Sequence, residues 1–242
     1  VYKRQAKMSE QQKKEVASRL KNRLEKTYIL TFNKEESLYK EEDKLDAISG
    51  ATDSWGKNFT PGNQYKNIKT NVFIQNQEFY GKVFLVKDTL KAMKWVMGKE
   101  TKQIGKYTCF KATCQRPAFD LSWYNFSWSE LRRQTEKKAD TIIKTDNTNT
   151  VEVSNENLDM VEVVAWYTPM IPVSQGPADY RGLPGLILEV NAGNTTLLCN
   201  KIILNPGEKE AIKYSRKGKE VSRKEYKAII TSKMQEFRNN RR

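Results

Sequence analysis

Two periods alternate along this chain. Val16, Leu20 and Leu24 recur four residues apart on a charged background, the spacing of one helical face. Ser9, answered three residues later by Gln12, has the form of a capping box, which predicts a helix to about Lys26. Residues 1–7 ahead of it read as the stub of a strand. From Tyr28 the period falls to two, and Tyr28, Leu30 and Phe32 predict a strand. Alternation returns over 68–75 and 78–86, with the polar pair Asn76-Gln77 between them predicting a hairpin turn. It returns again over 93–97, 107–114, 161–167, 186–190 and 195–204. A second capping box, Ser222 with Glu225, opens a C-terminal helix that carries Tyr226, Ile230, Met234 and Phe237 on one side.

Two stretches lack this patterning. Residues of about 41–66 are thin in apolar side chains and rich in turn formers, which predicts a long surface loop. Residues of about 116–159 begin with Trp123, Tyr124, Phe126 and Trp128 and then turn polar. They read as an aromatic strand packed in the core, followed by a solvated insertion. Strands in a largely meandering order, a helix near each end and no βαβ alternation predict a mainly β (α+β) fold. The expected form is one strongly curled antiparallel sheet, bowl-like or half-barrel, in a single domain over 1–242.

At 242 residues the chain buries a sizeable core, and no window approaches the length of an apolar membrane span. The net charge of +14 invites a nucleic-acid reading. However, basic and acidic residues are interspersed, as in Lys34-Glu-Glu36 and Lys40-Glu-Glu-Asp-Lys44, rather than gathered on one face. Solubility or attraction to an anionic cell surface explains the charge better than nucleic-acid binding does. Histidine is absent, which removes Ser-His-Asp and Cys-His catalysis and histidine metal sites. No phosphate-cradling glycine loop occurs. Asp43, Asp46, Asp53 and Asp120 are common carboxylates whose convergence nothing in the sequence indicates. Cys109 and Cys114 are spaced as neither a redox pair nor a zinc knuckle. The expectation is a protein without catalytic residues, cofactor or metal.

The most specific stretch runs from Ala165 to Val190. Pro169, Pro172 and Pro177 remove ladder donors, so the segment between two strands has to be an irregular but rigid connection. Trp166, Met170, Ile171 and Tyr180 are the side chains available to hold it, and Gly176 lies within it. At its end Pro184-Gly185 fits positions i+1 and i+2 of a type II turn, with positive φ at Gly185, while Gly182 allows close backbone approach. Leu183 and Leu186 flank the turn. No side chain in 182–187 moves a proton, so the corner is either a folding device or a binding surface.

Gly182-Leu-Pro-Gly-Leu-Ile187 resembles the motif that gives the GLPGLI family its name. Lys102 to Thr113 resembles that family's upstream element, and Ser37-Leu-Tyr39, Asn205 to Lys209 and Lys217-Gly-Lys219 resemble its weaker ones. The resemblance spans most of the chain outside about 41–66 and 116–159. It implies a curled β-rich protein of no established biochemical function, exported by Bacteroidetes. Its place would be periplasmic or associated with the outer membrane, with a leader removed ahead of Val1. Genes of the family often neighbour TonB-dependent transporters. This implies a non-enzymatic accessory protein that binds a transporter-type complex, peripheral to the membrane. The alternative is a periplasmic carrier of an apolar ligand held in the bowl. In an exported protein one disulfide involving Cys199 is expected, with Cys109 favoured over Cys114 as its partner, since Cys109 and Cys199 both lie in strand-like stretches. Envelope O-glycosylation of Asp-Ser/Thr-apolar triplets would fall on Thr89 and Thr141.

Overall fold

The computed structural model describes residues 9–11, 13–15, 25–42, 61–124, 128, 160–208 and 211–240. Its described residues are mainly β and form two sheets, where the sequence predicts one. The first contains β1 (Tyr28–Phe32), β2 (Glu36–Glu41), β3 (Gln64–Asn67), β4 (Val72–Phe79), β5 (Lys82–Thr89) and β11 (Lys219–Val221), in the order β1-β2-β3-β4-β5-β11. The second contains β6 (Val96–Ile104), β7 (Tyr107–Pro117), β8 (Met160–Thr168), β9 (Leu186–Ala192) and β10 (Thr195–Leu198), in the order β10-β9-β8-β7-β6. Neither sheet closes on itself. Period-two patterning marks strands but does not say which of them pair, so one curled sheet and two open ones read alike.

Five expectations about elements change. The turn predicted at Asn76-Gln77 lies inside β4; the reversal is at Tyr80-Gly81, where φ is 47° and 74°. Both values are positive, as a two-residue primed turn requires. The predicted loop contains strand at both ends: β2 reaches Glu41, and β3 starts at Gln64. Its polar side chains hid it, because Gln64 and Lys66 face inward. The aromatic strand expected after Arg116 is instead a short helix, α1 (Ala118–Ser122), with Trp123 buried behind it. Pro117 at its N-cap explains the change, since it withholds a ladder donor and suits a helix start. The strand expected over 93–97 starts only at Val96 and runs on through Gly98 to Ile104, and the strand expected over 195–204 stops at Leu198.

The helix expected near the C-terminus stands. The Ser222–Glu225 capping box is formed on both sides and opens α2 (Arg223–Asn239). Tyr226 and Ile230 of α2 pack with Phe73, Phe84 and Val86 on one face of the first sheet, joined by Leu90 and Trp123. On the opposite face Tyr65, Ile74 and Leu85 meet Ile212 and Tyr214 from the segment after β10. In the second sheet Ala112, Val163, Ala165 and Val190 build a further cluster with Tyr180, Leu183 and Ile187. Near the N-terminus residues 10, 11 and 13–15 are helical, and the Lys13 N–H donates to the Ser9 carbonyl at 2.9 Å. The Val16, Leu20 and Leu24 stripe, residues 1–7, most of the predicted loop and most of the predicted insertion lie outside the described residues.

Candidate functional site

The connection between β8 and β9 is where chain chemistry concentrates. Its prolines withhold donors, so its carbonyls and the carboxylate of Asp179 need partners from elsewhere. Lys66 of β3 supplies the largest share. Its ammonium donates to the carbonyls of Gly176 at 2.6 Å, Ala178 at 2.8 Å and Tyr180 at 3.0 Å. Three protons meet three carbonyls, and the side chain is 1% exposed. Ala178, between two of these acceptors, holds φ at 48°, a conformation that non-glycine residues keep only when their surroundings enforce it. Burial pulls the Lys66 ammonium down to about 7, with Arg181 adding to the effect and Asp179 opposing it.

Arg116 of β7 fixes the next residue. Its guanidinium is bidentate to Asp179, at 3.0 and 2.8 Å, and lies over the Tyr180 ring. Burial acts to raise the Asp179 carboxyl, but attraction and hydrogen bonds from Arg116, helped by Arg223 and Lys66, outweigh it and hold it below the ordinary carboxylate range. Arg181 turns outward to the carbonyls of Leu90 and Lys91 and to the Asn71 side chain. The Arg181 carbonyl accepts from the Trp95 indole at 2.8 Å. The Gln175 side-chain amide donates to the Asn33 carbonyl at 3.3 Å, and the Gln175 backbone carbonyl accepts from the Ile187 N–H at 3.0 Å. The predicted rigidity thus has a specific source: both sheets grip the connection through buried charge and backbone hydrogen bonds.

The two glycines of the corner exchange their predicted roles. Gly182 carries the positive φ, +92°, whereas Gly185 does not lie in that region, so no type II turn centres on Pro184-Gly185. A Cβ on Gly185 would instead lie 2.2 Å from the Thr168 carbonyl oxygen. Close approach is therefore the requirement at Gly185 and backbone handedness the requirement at Gly182. Gly176 is tight as well, with a Cβ there 2.9 Å from Ile187.

Of the residues read as an interaction surface, Ile171, Gly176, Tyr180, Leu183, Gly185 and Leu186 are buried. Trp166 and Pro177 are half-buried, and Lys102 stands over the Trp166 ring at 4.5 Å while pairing with Glu189. Met170, Pro172, Gly182 and Pro184 face solvent, with Met170 62% exposed. A shallow cleft of about 330 Å³ lies beside Gly182, between Ile68, Met93, Ser174 and Arg181. The Cys109–Cys199 disulfide is not formed; all three thiols are free. Strands β8 and β9 stand between β7 and β10 in the sheet order, so the lateral pairing assumed for it does not occur. Burial raises the thiols of Cys109, Cys114 and Cys199. Thr89 is exposed at the end of β5, and Thr141 lies outside the described residues, as do Asp43, Asp46 and Asp53. Asp120 is bound to Lys91 at 2.6 Å. Among the described residues no cluster of three or more cysteines and carboxylates is placed to hold a metal.

Sequence reasoning missed Lys66, Arg116 and Asp179. Asp179 lies within the stretch from Ala165 to Val190, and its place among prolines was the available signal. Nothing distinguishes Lys66 from the other lysines until β3 is placed.

No curated protein matches the chain. A solved structure, "Structure of PNGF-II in C2 space group", is similar with a TM-score of 0.45 at 15% identity, over 85% of this chain and 30% of that one. The chain thus spans less than a third of that structure's length. Residues 95–189, which run from Trp95 through the Lys102–Thr113 element and the corner to Glu189, match the model of a protein family of unknown function, Porph_ging.

Proposed function

We propose that this protein works by binding a protein partner of the cell envelope rather than by catalysis. The carrying observation is how the charged groups of the connection are spent. Lys66, Arg116, Asp179 and Arg181 all engage backbone or one another, while Met170 and Pro172 are presented at the edge of the segment that these bonds pin. Rigid presentation lowers the ordering cost of association. The resemblance to exported proteins encoded beside transporters supports an outer-membrane, TonB-dependent complex as the partner. In that role the protein is exported and peripheral to the membrane.

The test is photo-crosslinking from position 170 in native envelopes, with position 99 of β6 as control. A discrete adduct from 170, absent from 99 and lost when Pro172 is replaced by Asp, supports the reading. Recovery of the protein as a lone monomer bearing an extractable apolar molecule would replace it with the carrier.

A further inference from the structure

The tip of the β4–β5 hairpin carries a feature that neither the connection nor the core uses. Tyr80 occupies the first position of the two-residue turn with φ at 47°, a backbone region that a bulky residue enters at a cost. Asparagine suits that position far better. The ring stays 45% exposed, packed edge-on against Phe79 at 4.8 Å and against Phe237 of α2 at 5.0 Å, itself 40% exposed. Val83, on the opposite face of the hairpin from α2, is 44% exposed.

Basic side chains surround this apolar tip. Lys82 follows the turn directly. Because β11 runs parallel to β5, with Lys219 opposite Phe84, the residues entering β11 arrive at the same end of the hairpin. These are Arg216 and Lys217, and with Lys219 they are exposed. Gly218 permits the approach: its φ is +116°, and a Cβ there would lie 2.8 Å from the Val83 carbonyl oxygen. Nearby acids are offset, Glu220 by Lys87 and Glu236 by Lys233. Glu78 is the exposed carboxylate beside them.

We infer that the Tyr80 hairpin tip docks on an anionic lipid surface, with Tyr80 and Phe237 entering the headgroup layer and Lys82, Arg216, Lys217 and Lys219 contacting acidic headgroups. Aromatic rings favour that boundary, and each nearby basic residue adds electrostatic attraction. A second copy of the chain is disfavoured as occupant, since two such tips would oppose like charges. The inference stands independently of the proposed protein partner.

Sedimentation with vesicles of phosphatidylcholine, with and without about 30 mol% phosphatidylglycerol, tests it. The protein is expected to bind the anionic vesicles, to lose binding as salt rises, and to ignore neutral ones. Tyr80→Asn is the informative variant, because it relieves the turn: its melting temperature should rise while vesicle affinity falls about tenfold. Lys82→Glu with Lys217→Glu should abolish binding. Equal binding to neutral vesicles, or none to anionic ones, overturns the inference. So does loss of binding in the charge variant with Tyr80→Asn unaffected, which would indicate a soluble polyanion such as nucleic acid.

Discussion

Lys66 and Tyr180 stand 114 positions apart, and the ammonium of the first donates to the carbonyl of the second at 3.0 Å. With its bonds to Gly176 and Ala178, this makes one strand of the first sheet the anchor of the corner of the second. Lys66→Met keeps the volume and removes the donors, leaving three carbonyls without them. The variant should lose about 2–4 kcal/mol by urea denaturation, and amide exchange around 176–180 should rise more than in β4. A uniform rise, or none, would show the anchor to be inert.

The pH dependence has a definite sign. Lys66 titrates near 7 in the folded protein against 10.5 for a free lysine, so the unfolded chain holds the extra proton between those values. Folding therefore carries the full cost of the buried charge below about 7 and is relieved of it as pH rises toward 10.5. The stability of the wild type relative to Lys66→Met should climb between about pH 7 and about pH 9.5. A flat difference would mean that the three carbonyls hold the proton against burial.

The two corner glycines separate by variant. Gly185→Ala drives a methyl into the Thr168 carbonyl, a backbone atom that cannot swing away, and should cost about 3 kcal/mol or prevent folding. Gly182→Ala meets nothing closer than Trp95 at 3.7 Å and pays only for its left-handed backbone, about 1–2 kcal/mol. Thermal melts of the pair give the order directly, and the reverse order would restore the type II turn.

Thiol chemistry follows burial. Cys109 and Cys114 are buried and Cys199 is half-buried, so a maleimide should label Cys199 first and the other two only on unfolding. Mass spectrometry showing a Cys109–Cys199 bridge would reverse this.

What the sequence disclosed depended on whether a residue's local pattern matched its burial. Ser222 and Glu225 satisfy each other within one turn, so the C-terminal helix was readable in full. Val163, Ala165 and Tyr167 point apolar side chains inward and announce β8. Strand β3 inverts that rule: Gln64 and Lys66 face the interior, and the segment reads as loop. Gln75 and Gln77 do the same in β4, where they hydrogen-bond each other at 2.7 Å, and so displaced the predicted turn. The corner's rigidity followed from its prolines. Its anchors did not, because Lys66 and Arg116 come from strands remote in sequence, and no local spacing records such a meeting.

Strand β11 has a consequence for when the fold can be completed. It is only three residues long, lies beside β5 in parallel, and leads directly into the helix that covers the first sheet. Its partner β5 is made well before it, so the sheet keeps an open edge and an uncovered apolar face until β11 and the helix after it exist. Pairing so distant in sequence is slow to form. A chain built this way leaves its first sheet unsealed until β11 and α2 arrive, and exposes that sheet to proteolysis if β11 is cut away.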